Sequence, residues 1–428
     1  MWGQLLELRH SSDIAQYRLT RAASDGFWDK GDAPEPKIHR IHAYPAKFPA
    51  FLTTKALHYA AGQDVEVKRV GDVFCGCGTV ALEARRAGVD FWGCDINPVA
   101  TLIARAKSAV YEPSKLRSYA AQICAAYDTA EPSLGLSETA QGRLHHWYST
   151  EQFQKLSRLL NAVRATVSTR HRYSTPFLCA FSAILKSTSQ WRRRAVKPHF
   201  DPHKEPGDPL AAFRMQCEFM ARAWEEGPLL KRTHHEIHTA NLLTVEPPEG
   251  GLDMIMTSPP YVTSYEYADL HQLSSLWLGF ADDYRSLRDG SIGSTQHTLN
   301  FKREFKSLNA VGTQVVFTLY DKDRAAAQAI AKYYLDMQYV AARCLSFLRP
   351  GGIGVFVIGN TEYKGVQVDN ASHLAVALLE AGFGKVKVAK RRITNKAHTP
   401  YRRQDGKFSQ RETNKQTYAE EFILLAHR

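Results

Sequence analysis

The chain has 428 residues, 44% of them hydrophobic, and a formal net charge of +12. That length calls for one large elaborated core or two domains, and the basic balance draws polyanions, so a nucleic-acid partner stands beside a merely basic soluble protein. Seven cysteines, an odd number spread along the chain, argue against a disulfide scaffold; without a signal-peptide pattern or an apolar run of about 20 residues, a cytoplasmic protein with no membrane span is expected.

Residues 1–30 read as an N-terminal extension of weak periodicity, closed by a Pro-rich break at residues 31–36. From Arg69 to about Ala109, short apolar runs alternate with helical stretches, the pattern of βαβ units and a parallel sheet. Arg69 to Phe74 is predicted as a strand, Val80 to Ala87 as the helix after it, and Asp90 to Cys94 as a second strand ending at Asp95. Residues 31–110 are therefore expected to form the first half of a cofactor-binding domain. Between 111 and 232 strand signals give way to helical ones. Ser149 followed by Gln152 fits a capping box, and Phe153, Leu156, Leu160, Val163 and Val167 recur on one helical face, which reads as core packing. A loop rich in Arg, Lys, Pro and His, from Trp191 to about Pro209, interrupts this helical insertion.

Alternation returns near Ile237 and opens a second half, residues 233–428. Strands are predicted at Leu252 to Thr257, Gly354 to Ile358, Lys385 to Val388 and Glu421 to Leu425. A helix is predicted from about Arg324 to Phe347, with Leu348 to Gly352 as its stop and turn. The expected architecture is α/β: a Rossmann-like sheet with helices on both faces, interrupted by a helical insertion.

Two short segments carry chemistry. Phe74 to Thr79 (FCGCGT) stands where a strand should pass into a helix, and Gly76 and Gly78 allow a tight turn with close approach of a ligand to the helix N-terminus. Asp95, at the end of the next strand, is placed to accept both hydroxyls of a ribose. Gly76, Gly78 and Ala81 also satisfy G-x-G-x-x-A, so an NAD-binding oxidoreductase remains a rival reading. Cys75 and Cys77 read as small packing residues, and His234, His235 and His238 as a polar strand approach, because no further ligands stand at metal spacing; no metal is expected.

The second segment is Thr257-Ser-Pro-Pro-Tyr261. Two prolines fix φ and offer no N–H, and Ser258 before Pro259 is held extended, so the turn is stiff and rich in acceptors. The Ser258 hydroxyl and the Pro259 carbonyl can each accept an N–H, and Tyr261 offers a ring for stacking. Such a corner suits an aryl amine, whose lone pair becomes nucleophilic when both of its protons are held.

With the glycine loop, this tetrapeptide resembles the amino-methyltransferases of bacterial DNA modification, whose motifs are F-x-G-x-G and [DNS]-P-P-[YFW]. Ser in first place is similar to the cytosine-N4 branch, whereas Asp there is the usual adenine-N6 form. Residues 39–49 (HRIHAYPAKFP) resemble the segment that covers the methionine end of the cofactor in a subset of these enzymes. The resemblance implies S-adenosyl-L-methionine as cofactor. It implies a cofactor shell of Tyr44, Lys47, Phe48, Pro49, Asp72, Phe74, Gly76, Gly78, Thr79, Asp95, Ile96, Asn241 and Thr257, with Ser258, Pro259, Pro260 and Tyr261 catalytic. It further implies double-stranded DNA as substrate, base flipping, and a cognate restriction endonuclease as a candidate partner. An adenine-N6 or RNA methyltransferase on the same fold is the alternative. The chain departs from the family pattern twice: Ala240 and Asn241 stand where an acidic residue often meets the adenine, and the Ser-Pro-Pro-Tyr motif follows the glycine loop instead of preceding it.

Two basic clusters are candidate phosphate contacts. One holds Arg192, Arg193, Arg194 and Lys197 in the helical insertion. The other runs from Lys385 through Arg391, Arg392, Lys396, Arg402 and Arg403 to Lys407.

Overall fold

The computed structural model describes residues 5–16, 19, 22–31, 33–45, 47–227, 232–262, 266–293, 301–393, 401–402, 408–409 and 420–428. Its centre is an eight-stranded sheet. In chain order the strands are β1 (Leu6–Leu8), β2 (Arg69–Asp72), β3 (Asp90–Asp95), β4 (His235–Thr239), β5 (Leu252–Thr257), β6 (Leu348–Ile358), β7 (Lys385–Arg392) and β8 (Glu420–His427). Spatially they run β1-β7-β8-β6-β5-β2-β3-β4. β4, β3, β2, β5 and β6 are mutually parallel, while β8 lies antiparallel to both β6 and β7. Strand order reverses direction between β2 and β5. Crevices at the carboxyl ends of strands on either side of such a reversal are where open α/β sheets bind ligands. This is the Rossmann-like α/β arrangement expected from the sequence.

The central strand β5 is buried along its whole length, as a parallel strand covered on both faces must be. Met254 and Met256 enter the cluster that holds helices α1 (Ala50–Ala61) and α2 (Thr79–Ala87), and Ile255 points into the opposite one. That opposite cluster packs α10 (Ala310–Tyr320), α11 (Arg324–Phe347) and α12 (Asn370–Ala381).

Between α3 (Pro98–Ser108) and β4 the chain forms α4 (Pro113–Ala126), α5 (Glu138–Trp147), α6 (Thr150–Thr166), α7 (Ser174–Ile184) and α8 (Pro209–Glu226). The stripe Phe153, Leu156, Leu160, Val163 and Val167 is buried core. Only half of the capping box forms: Ser149 accepts from the Gln152 N–H, and the Gln152 amide turns away to the Gly207 carbonyl at 3.0 Å. These helices share one apolar cluster with Leu82 of α2 and Val99 and Ile103 of α3.

Three expectations differ from the structure. The N-terminal extension contributes to the sheet: Leu6–Leu8 pairs antiparallel with Val386 to Val388, and Trp28 is fully buried. Leu348 to Gly352 is drawn into β6 across an irregularity, with Leu252 opposite Leu348 and Met254 already opposite Ile353. Strand β7 continues to Arg392, so Arg391 and Arg392 lie at a strand end instead of in a basic loop.

Candidate active site

Between β2 and α2 the glycine loop makes two positive-φ residues, Gly76 at 46° and Gly78 at 74°. Gly78 caps α2 with α3 directly behind it: a Cβ there would lie 2.6 Å from the Ala104 Cα. The Gly76 N–H donates to Asp95 Oδ2 and the Asn97 N–H to Asp95 Oδ1, each at 2.9 Å. Each carboxylate oxygen thus keeps a lone pair for an incoming hydroxyl. Burial pushes the Asp95 carboxyl up to about 6, against those two backbone donors. Ile96 and Asn241 converge on one spot beyond Asp95. A Cβ built on Gly290 would sit 3.0 Å from Asn241 Nδ2 and 3.4 Å from Ile96 Cδ1.

Residues 39–45 and 47–49 wall the loop. Tyr44 reaches over Gly76, its hydroxyl 3.5 Å from where a Cβ would stand, and its ring meets Tyr267 and His271 at centroid distances of 6.2 and 5.1 Å. Polar anchors hold this wall. His39 Nε2 meets Glu83 Oε1 at 2.7 Å, Gln216 donates to the Ile41 carbonyl, and His42 is wired at both nitrogens. Its Nδ1 faces the Ala43 carbonyl and so carries the proton, and burial holds the ring well below its usual range, at about 4. Its Nε2 must then accept from the Ser182 hydroxyl, 2.9 Å away. Lys47 donates to Glu35 Oε2 at 2.6 Å, Phe48 packs with the α1 cluster, and Pro49 precedes α1 as its cap.

The Ser-Pro-Pro-Tyr turn leaves the carboxyl end of β5, which pairs with β2 through Met254 opposite Val70. One carboxylate ties the two loops together. Asp72 Oδ1 accepts the Thr257 hydroxyl at 2.7 Å and the Phe74 N–H at 3.2 Å. Asp72, Thr257 and Thr79 are all buried, and the Asp72 bonds hold the two loops against each other. Burial raises the Asp72 carboxyl to about 7, more than its two hydrogen bonds and the Asp95 charge alter it.

Tyr261 is fixed from two sides. Its ring lies against Gly359, where a Cβ would come within 3.2 Å of Cε2, and its hydroxyl donates to Glu421 Oε1 at 3.2 Å. Arg391 donates to the other Glu421 oxygen from Nε at 2.9 Å. Burial, with the Glu421 charge next, pushes the Tyr261 phenol well above its ordinary value, while Arg391 and the Ser258 hydroxyl act the other way. It therefore stays protonated as a donor at every working pH.

The candidate phosphate contacts divide. Arg192, Arg193, Arg194 and Lys197 are exposed, and Arg192 faces Asp201 at 3.4 Å. Their loop has a rigid base: Trp191 stacks on Trp147 at 5.1 Å, and the Lys204 ammonium donates to the carbonyls of Lys186 and Trp191. Arg392 is exposed, whereas Arg391 is only 5% exposed and committed to Glu421, which accounts for its charge without a phosphate. Arg402 lies in a two-residue strand, and Arg403, Lys396 and Lys407 fall outside the described residues.

Sequence reasoning missed Asn97, His271 and Glu421. Asn97 carries a readable signal, an N-cap residue before Pro98; the other two become visible only once distant elements meet. Among the described residues no group of three or more His, Cys, Asp or Glu could hold a metal ion, and no helix is long and apolar enough to cross a membrane.

No family model matches the chain. It is similar to the Type II methyltransferase M.MvaI of Kocuria varians, 24% identical over 359 residues that cover 77% of this chain and 78% of that protein. That similarity supports methyl transfer as the activity. A solved structure, the rRNA methyltransferase aviRa from Streptomyces viridochromogenes, overlaps 82% of this chain and 94% of its own at 14% identity, with a TM-score of 0.27. So loose an overlap carries no argument about substrate.

Proposed function

We propose that this protein transfers a methyl group from S-adenosylmethionine to the exocyclic N4 amine of cytosine in double-stranded DNA, acting on a base flipped out of the helix. The observation that carries the reading is the Asp72 carboxylate. By holding both Thr257 and the backbone of Phe74, it keeps the acceptor-rich turn beside the glycine loop. The similarity to a Type II methyltransferase supports methyl transfer, and Ser258 in first place of the motif is what favours the cytosine amine.

The residues present fit the cofactor. Asp95 offers free lone pairs to ribose hydroxyls, Ile96 and Asn241 are assigned to the adenine at a spot where Gly290 packs and accepts from Asn241 Nδ2 at 3.3 Å, and Phe74, Gly76 and Gly78 form the floor under Tyr44. Lys47, whose ammonium pairs with Glu35, and Phe48 are assigned to the methionine side on the resemblance of their segment. When bound, the cofactor supplies a sulfonium methyl as electrophile. The rest is done by this chain. Ser258 Oγ and the Pro259 carbonyl take the two amine protons in hydrogen bonds, which localises the nitrogen lone pair and aims it. The Tyr261 ring, held by Gly359 and Glu421, stacks on the base. Its stacking offsets part of the few kcal/mol that flipping costs, and catalysis is mainly orientation and electrostatic placement.

Expression in a methylation-free bacterial host, followed by nucleoside mass spectrometry of its DNA, tests the reading. N4-methylcytosine is expected. N6-methyladenine would move the assignment to the other amine, and unmodified DNA with methylated RNA would overturn it.

The rigid basic loop over residues 191–204 is assigned to the DNA backbone. Changing Arg192, Arg193 and Arg194 together to Ala should weaken DNA binding at every sequence and flatten the log K against log salt slope by roughly 1 per lost phosphate contact. An unchanged slope would take this loop out of the interface.

A further inference from the structure

The short break between residues 267–270 and α9 (Gln272–Trp277) places His271 behind the glycine loop, 5% exposed. Its tautomer can be deduced from its neighbours. The side-chain oxygen of Asn97 is occupied as the cap of α3, accepting the N–H groups of Val99 at 2.9 Å and Ala100 at 3.4 Å. The Asn97 amide nitrogen is therefore the atom facing His271 Nδ1 at 2.8 Å. An amide nitrogen only donates, so His271 Nδ1 accepts. Burial, and then His42, hold the ring far below its ordinary range, at about 3, so it is neutral. Its one proton sits on Nε2.

That Nε2–H is buried and, among the described residues, has no hydrogen-bond partner. An orphaned buried donor is costly and uncommon in a finished structure. It belongs to a ring that packs on Tyr44, the residue poised over Gly76, and that is joined through Asn97 to Asp95. The ring thus lies between Asn97, at the N-terminus of α3, and the Tyr44 ring.

We infer that His271 is a further cofactor-binding residue, whose Nε2–H donates a hydrogen bond to an oxygen of the bound S-adenosylmethionine. The inference rests on the cofactor reading above and adds to it a contact that neither motif contains. Neutrality matters here: a protonated ring would place a charge close to the sulfonium, whereas a neutral donor binds the oxygen without that repulsion.

The test is calorimetric binding of S-adenosylhomocysteine to the full chain carrying His271→Phe or His271→Gln, with thermal melts of each. Phenylalanine keeps the ring against Tyr44 and removes the donor; glutamine sets an amide N–H near the place of Nε2. Affinity is expected to fall about tenfold or more in His271→Phe and to recover most of that loss in His271→Gln, with both proteins melting close to the unchanged chain. If His271→Phe binds within about twofold of the unchanged chain, or if both variants lose affinity equally while remaining folded, the contact does not exist. Should the unchanged chain itself fail to bind S-adenosylhomocysteine, the cofactor reading falls, which is a separate result. Repeating the titration with 5′-methylthioadenosine, which lacks the amino-acid end, reads which oxygen is held: a loss with both ligands points to the ribose, and a loss with S-adenosylhomocysteine alone points to the carboxylate.

Discussion

Exchanging Ser258 for alanine is expected to cut methyl transfer by about 10²–10³-fold, the usual effect of deleting one pre-placed hydrogen-bonding group at a reacting centre. The substitution removes one of the two acceptors offered to the amine, so the nitrogen lone pair returns to the ring and the attack loses its aim. Cofactor affinity should change little. Ser258 lies beyond Thr257, whose bond to Asp72 fixes the loops, and that bond is untouched. Single-turnover methylation of an oligonucleotide, set beside S-adenosylhomocysteine titration, separates the two quantities. Pro259→Ala should also lose transfer, through slack in the turn. Activity retained in both variants would remove the turn from the chemistry.

A second large effect is expected at Gly78, and it is one of stability. Its φ of 74° is strained for any residue with a side chain, at about 1–2 kcal/mol. The added Cβ would also lie 2.6 Å from both the Cα and the Cβ of Ala104, and backbone in a packed helix yields only at about 1–3 kcal/mol. Gly78→Ala should therefore cost about 2–5 kcal/mol and lower the melting temperature by roughly the same number of degrees. Gly76→Ala is the informative contrast. Its φ of 46° carries a similar strain of about 1–2 kcal/mol, but the nearest atom to its Cβ is the Tyr44 hydroxyl at 3.5 Å, so the melting temperature should fall less than for Gly78→Ala while cofactor affinity falls. Equal melting temperatures for Gly78→Ala and the unchanged chain would show that α3 does not press on this loop.

Much of the sheet was legible because its strands are long enough to show their pattern and end in recognisable turns. Leu252 to Thr257 was bounded correctly, since a largely apolar run between turn signals reads as a covered parallel strand. The helix from Arg324 to Phe347 was equally clear from its period. Leu6–Leu8 was not legible, because three residues cannot display an alternation. Arg391 misled for a different reason. A run of cations normally points outward, but here the strand continues and sets Arg391 opposite Glu421, so the pairing partner, not the local charge, decides which way it faces. The glycine loop, Asp95 and the Ser-Pro-Pro-Tyr turn were visible because each has a local backbone demand. His271 was not, since its importance comes from a missing partner, which no sequence records.

The bond between Tyr261 and Glu421 spans 160 residues, and β8, which carries Glu421, enters the sheet between β6 and β7. A nascent chain can assemble the glycine loop and the turn long before β8 is synthesised, yet its aromatic platform remains unanchored until that strand docks. Competence for transfer should thus arrive last in translation, when β8 has been synthesised and has paired with β6 and β7.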